Sequence, residues 1–162
     1  LLRDYVIEER AEIMDNGIRL TTIGNISRLP AFVLEPLQSL MKDSAENRAM
    51  TLCLALSYGG RDSMVDAMRN IAQQVHSGAL PAEQIGLIDE DRLNAAFQSA
   101  SLPPLDLVIR TSGEQRASNF MLWQAAYAEY VFQDKLWPDY DRRDLWAACE
   151  EYVNRNRRFG RA

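Results

Sequence analysis

The sequence predicts an α/β fold in which a parallel sheet is flanked by helices on both faces, and three observations predict it. Short β-branched and apolar runs alternate with helical stretches, the rhythm of parallel β-α-β units with right-handed crossovers. The run Leu107, Val108 and Ile109, behind Pro103 and Pro104, has the continuous apolar character of a strand buried on both faces. No repeat, low-complexity segment or linker interrupts the 162 residues. One domain, 1–162, is therefore expected, long enough to bury roughly 70% of the surface its unfolded chain exposes.

Taken in order, Tyr5, Val6, Ile13 and Met14 keep a helical period to about Asn16, where Asn16 and Gly17 supply a stop. The opening LLRDYVIEER has no initiator Met and no capping residue before it, and reads as cut into a helix. Ile18 to Ile23 alternates and is rich in β-branched residues, a first strand that ends at Gly24 and Asn25. Pro30 opens a second helix with Phe32, Val33, Leu34, Leu37 and Leu40 on one face. Thr51 to Leu56 is a second strand, and Ser57 to Arg61 turn it into a third helix with Met64, Val65, Met68, Ile71, Ala72 and Val75 as its apolar face. Ser77, Gly78 and Pro81 end that helix. A surface loop runs to Asp89, which caps a helix through Leu93, Ala96 and Phe97. After the two prolines come a strand to Thr111, a helix from Ser118 to about Ala128 and a strand from Tyr130 to Phe132. Beyond Trp137 and Pro138, Asp141 caps a last helix carrying Leu145, Trp146, Ala148, Cys149, Tyr152 and Val153.

Composition narrows the function classes. Hydrophobic residues at 47% and charged residues at 25% are ordinary for a globular domain and exclude a disordered or fibrous chain. A net charge of -5 gives no general basic field, so nucleic acid is a poor partner. Positive charge is local instead, with four arginines between Arg155 and Ala162. No apolar run approaches the ~20 residues that span a bilayer, and the amino terminus has no signal-peptide pattern. Cys53 and Cys149 lack metal-ligand spacing and read as small buried residues in a reducing cytoplasm, with a disulfide between them the lesser alternative.

The chemistry concentrates after the strand at Leu107. Arg110, Thr111, Ser112, Gly113, Glu114, Gln115, Arg116 and Ser118 set two guanidinium groups, three hydroxyls and a glycine at the carboxyl end of that strand, where open α/β sheets bind ligands. Arginine's rigid fork suits diphosphate oxygens, Ser112 and Gly113 can form a backbone nest, and Ser118 can cap a helix whose free amides face the same space. The alternative is a pair of surface salt bridges to Glu114 and its neighbours. There is neither a GxxxxGK[ST] nor a GxGxxG signature, so a nucleotide-gripping glycine loop is excluded. Glu129 ends an apolar helix and, half-buried, needs a partner, either a structural Arg or a hard cation such as Mg²⁺. A continuous helix would put Glu129 ~16 Å from Ser118. The arginine tail reads either as a solvated helix end or as phosphate capture. His76, the single histidine, reads as a dipole-complementing surface residue in a helix's last turn, and with no second histidine and no Ser or Cys beside a base neither a histidine triad nor a zinc site is expected. Tyr58-Gly59-Gly60-Arg61 fits a ligand loop and a tight strand-to-helix turn equally well.

The blocks IRTSGEQRASNFMLWQAAYAEYVF, LWPDYD and NRRFG, with GIRLTTIGNISRLP and LALSYGGRD upstream, resemble the cis-prenyltransferase family, and within it the bacterial undecaprenyl diphosphate synthases. The resemblance spans nearly the whole chain and implies a Rossmann-like fold, incomplete at the amino-terminal side. It implies that Arg110, Arg116 and Ser118 bind the diphosphate of isopentenyl diphosphate and that Glu129 takes part in Mg²⁺ binding. It also implies that Arg158 and Gly160, the terminal RxG, reach the active site of the partner subunit in a homodimer. The family's DGNGRWA motif, whose aspartate handles the allylic diphosphate, and its FSxEN segment have no counterpart in this sequence, so no catalytic residue is assigned.

The reading is a carboxyl-terminal portion of a Mg²⁺-dependent cis-prenyl chain-elongating transferase that condenses isopentenyl diphosphate with an allylic diphosphate such as farnesyl diphosphate. It is expected to be inactive alone and cytoplasmic, with a peripheral position at the membrane as the alternative, and its product lipid associates with the membrane. The alternative is a non-catalytic supporting subunit of a heteromeric cis-prenyltransferase, against which the retention of Arg110, Arg116 and Ser118 argues. A Rossmann-like phosphate-binding domain unrelated to the family is the third reading.

Overall fold

The structure, a computed structural model, describes residues 1–155. The chain forms two compact units, Leu1–Ala100 and Ser101–Ala162. Short parallel sheets flanked by helices make this the predicted α/β fold, of Rossmann-like kind.

In the first unit the predicted opening helix is two helices, α1 (Leu2–Glu8) and α2 (Arg10–Asp15), interrupted at Glu9. Gly17, at φ +63, turns the chain into β1 (Ile18–Ile23), with the predicted bounds. β1 pairs in parallel with β2 (Met50–Ala55), from Ile18 opposite Met50 to Ile23 opposite Ala55. Between them α3 (Ala31–Asp43) lays Val33, Leu37 and Leu40 inward. Pro30 is its N-cap rather than its first residue, its fixed φ leading the extended chain into the helix. Val6, Ile13, Leu20, Leu37 and Leu40 form the core, and the buried Ser44 hydroxyl accepts the Leu20 amide at 3.0 Å. Phe32, expected on the buried face of α3, is 63% exposed instead. Val65 and Met68 likewise stand exposed on α4 (Gly60–His76), which buries only Gly60 and Ala67. The expected loop before Asp89 contains a 3-10 turn, Ala82–Leu87. Asp89 caps α5 (Glu90–Ala96) as predicted, accepting the Arg92 amide at 2.9 Å.

In the second unit β3 (Leu107–Arg110) pairs in parallel with β4 (Glu129–Phe132), placing Leu107 opposite Glu129 and Arg110 opposite Phe132. All four β3 residues are half-buried, not buried on both faces as expected, and β4 is the sole strand paired with β3 among the described residues. The main correction is the segment between these strands. In place of a helix from Ser118 to Ala128 the chain makes turns and one 3-10 turn, Gln124–Tyr127. Ser118, Asn119 and Met121 have φ of 47°, 62° and 44°, a left-handed backbone that a right-handed helix cannot contain. The apolar period was real, since Met121 and Ala125 are buried, but a left-handed turn position and a 3-10 turn present them. α6 (Arg142–Val153) starts at Asp141 in a capping box completed by Asp144, as its cap predicted. Lys135 donates to Asp144 at 2.7 Å and holds that carboxyl below the usual carboxylate range. Among the described residues no helix is long and apolar enough to cross a membrane. Both cysteines are free thiols, half-buried.

Candidate functional site

The strand pairing decides where the predicted anion-binding residues stand. Arg110 is the last residue of β3, so its backbone is fixed by the ladder: its carbonyl accepts the Gln133 amide at 2.9 Å. Its Nη2 donates to Ser118 Oγ at 3.2 Å. Its Nε is buried and, among the described residues, has no hydrogen-bond partner. Arg92 Nε is in the same state, so what sets Arg110 apart is the pocket that its side chain lines. Arg116 faces the same space, with its Nη2 held 2.6 Å from Glu114 Oε2. Both arginines line a pocket of about 320 Å³ whose other walls include Leu105, Leu107, Ile109, Phe120 and Tyr130. The structure thus brings Arg110 and Arg116 together on one apolar-walled pocket and sets Ser118, which is not itself among the lining residues, against Arg110.

Two expected contributions to that site fail. The Ser112 and Gly113 amides do not form an open nest, because they donate to the carbonyls of Lys135 and Gln133 at 2.9 and 3.0 Å. Left-handed φ values of 67° and 66° at these residues turn the loop back onto the chain beyond β4. Nor does Ser118 cap a helix, since none begins there; its hydroxyl serves Arg110 instead. The axial distance to Glu129 lapses with that helix.

Glu129 is the first residue of β4, not the end of a helix. Its Oε2 accepts from Arg155 Nη1 at 2.9 Å, which realises the structural-arginine alternative for this half-buried carboxylate. Arg155 also pairs with Glu151, and the two carboxylates raise its pKa further above its already high value. Among the described residues no cluster of three His, Cys, Asp or Glu side chains could hold a metal. A lone carboxylate fits Mg²⁺ only as one ligand of an ion held mainly by substrate oxygens. Arg158 and Gly160 lie outside the described residues.

His76 is the exposed last residue of α4, as expected. Gly24 must be glycine, since a Cβ there would collide with the Leu56 carbonyl oxygen. Together with Asn25, Arg28, Tyr58, Asp62 and Arg69 it lines a second pocket, of about 190 Å³, within the first unit. That lining mixes charges of both signs, with Arg69 already paired to Asp66 at 3.0 Å. Sequence reasoning missed Phe120 and Tyr130 as pocket walls and Asn119 as a left-handed residue. Only Asn119 carried a signal, because asparagine tolerates that backbone better than most residues.

The prenyltransferase family model described as "Putative undecaprenyl diphosphate synthase" matches residues 1–160. The decaprenyl diphosphate synthase of Mycolicibacterium smegmatis is 51% identical over 161 residues, covering 99% of this chain and 54% of that protein. An isoprenyl transferase of Mycolicibacterium parafortuitum is 49% identical over 160 residues, covering 99% of this chain and 53% of its own length. Among solved structures, lavandulyl diphosphate synthase from Lavandula x intermedia in complex with dimethylallyl diphosphate matches with a TM-score of 0.90 and 35% identity, over 98% of this chain and 68% of that one. A "probable undecaprenyl diphosphate synthase" from Campylobacter jejuni matches with a TM-score of 0.79 and 32% identity, over 98% and 71%. The chain spans about half the length of the curated relatives it matches. Matched along almost its entire length, it belongs to the undecaprenyl diphosphate synthase family of prenyltransferases.

Proposed function

We propose that this chain serves cis-prenyl chain elongation, seating isopentenyl diphosphate on Arg110, Arg116 and Ser118 for condensation with an allylic diphosphate such as farnesyl diphosphate. The observation that carries this reading is the pocket in which two guanidinium groups face apolar walls. Such a lining matches a charged diphosphate on a short hydrocarbon. In the reaction, the allylic diphosphate departs with the electrons of its carbon–oxygen bond. The isopentenyl double bond supplies the new carbon–carbon bond, and loss of a proton leaves a Z double bond. This chain's residues bind and orient the condensing diphosphate, and Glu114 holds Arg116 toward it. Mg²⁺, when bound, would neutralise diphosphate charge, with Glu129 as a single protein ligand in place of its present contact with Arg155.

The expected result is that isopentenyl diphosphate raises the melting temperature of the chain while ATP and NAD do not. With radiolabelled isopentenyl diphosphate and farnesyl diphosphate, label binds but is not elongated, because no residue of this chain is assigned to ionising the allylic partner. Absence of binding overturns the site. Elongation at a rate comparable with a full-length relative overturns the predicted inactivity.

The active assembly in this reading is a homodimer, working in the cytoplasm and releasing its product lipid to the membrane. Leu145, Trp146 and Val153 of α6 support self-association, standing exposed where a monomer gains nothing from them. Light scattering is expected to give a dimer, and Trp146→Glu a monomer. A monomeric parent at micromolar concentration would rule the dimer out.

A further inference from the structure

We propose that Asn119 is a positioning residue of the diphosphate site, its left-handed backbone setting the Ser118 hydroxyl against Arg110. The inference rests on the reading of that pocket as a diphosphate site. Among the described residues five non-glycine positions have positive φ, and four of them, Ser112, Ser118, Asn119 and Met121, fall within the dozen residues after Arg110. Each is disfavoured relative to a right-handed backbone by the crowding of Cβ against the following carbonyl oxygen. Such residues persist where surrounding structure enforces them, and they cluster at functional sites. In this loop the enforcement is visible. Met121 is buried and anchors the far end of the segment, while Ser112 and Gly113 tie the near end to the carbonyls beyond β4.

The consequence is local. With Ser118 and Asn119 both left-handed, the chain reverses between Arg116 and Phe120, so both of those side chains and Ala117 line the pocket and Ser118 Oγ lies 3.2 Å from Arg110 Nη2. A right-handed backbone is the intrinsic preference of every L-residue here, so the turn that carries the Ser118 hydroxyl to Arg110 depends on residues that accept the left-handed one. Position 119 therefore needs a residue that tolerates φ near +62°, and asparagine does so at less cost than any side chain branched at Cβ. A residue hostile to that backbone lowers the fraction of molecules in the binding shape, and the apparent Kd rises by the inverse of that fraction.

The test titrates inorganic diphosphate and isopentenyl diphosphate into the chain by calorimetry, with Asn119→Gly, Asn119→Ala, Asn119→Val and Arg116→Ala as variants. Asn119→Gly is expected to bind within about twofold of the parent, Asn119→Ala more weakly and Asn119→Val about tenfold more weakly, with Asn119→Ala deciding should Asn119→Val not fold. Equal losses for Gly and Val would assign the role to the amide side chain and overturn the inference. Parent-like binding by Asn119→Ala and Asn119→Val, while Arg116→Ala binds weakly, overturns it and leaves the site standing. Parent-like binding by Arg116→Ala removes the site itself, and the inference with it.

Discussion

Arg110→Ala is expected to weaken isopentenyl diphosphate binding roughly a hundredfold, about 3 kcal/mol, the largest loss from any single change in the pocket. Arg110 ends a strand, so its guanidinium is aimed by the β3–β4 ladder rather than by a loop. It is half-buried, with an unpaired Nε and an Nη2 already shared with Ser118. A charge-assisted contact in such a place is poorly screened. Arg116 differs on each count: it is in a loop, its side chain is 70% exposed, and Glu114 neutralises part of its charge. Its removal should therefore weaken binding only about tenfold. Arg110→Lys keeps the charge but loses the planar fork, and should fall between the two. Calorimetric titration of all three variants checks the order. Ligand-free Arg110→Ala should melt close to the parent, since the truncation loses the Nη2 contact with Ser118 but also removes a buried Nε that has no partner among the described residues. Equal affinities for Arg110→Ala and the parent would mean that the diphosphate sits elsewhere.

What the sequence made legible was local. β1 has the bounds its alternation gave, and Asp89 and Asp141 cap the helices they were expected to cap, because a cap is a contact between a side chain and an amide two or three residues away. Arg110, Arg116 and Ser118 could be placed together for the same reason, lying within nine residues of one another beyond a recognisable strand. The failures needed tertiary information. An apolar period shows which residues seek burial but not the hand of the backbone that buries them, so the segment after Ser118 read as a helix. Glu129 was known to need a partner, yet Arg155, 26 residues on, could not be chosen from the chain alone. The nest at Ser112 and Gly113 was consistent with the sequence until pairing beyond β4 engaged its amides. The assignment of isopentenyl diphosphate came from the resemblance of a whole motif, and no spacing of charges would have distinguished it from another diphosphate.

Leu37→Ala should lower the unfolding free energy by about 3 kcal/mol, while Phe32→Ala on the same helix should change it by less than about 0.5 kcal/mol. Sequence periodicity treats the two as equivalents, since both fall on the apolar stripe of α3. The structure separates them completely: Leu37 is 0% exposed inside the cluster with Val6, Ile13, Leu20 and Leu40, and Phe32 is 63% exposed. Truncating Leu37 removes buried methyl groups and leaves a cavity beside Leu20, the residue whose amide is satisfied by Ser44. Relaxation into that cavity is restrained, because shifting β1 would lengthen the 3.0 Å bond and strain the β1–β2 ladder. Ser44→Ala should accordingly cost about 1–3 kcal/mol by orphaning the Leu20 amide. Combined with Leu37→Ala it should be non-additive, since both act on the same strand. Urea denaturation of the parent and the four variants, with the slope m unchanged, measures these differences. Similar losses for Phe32→Ala and Leu37→Ala would show that α3 buries a wider face than the one laid against β1.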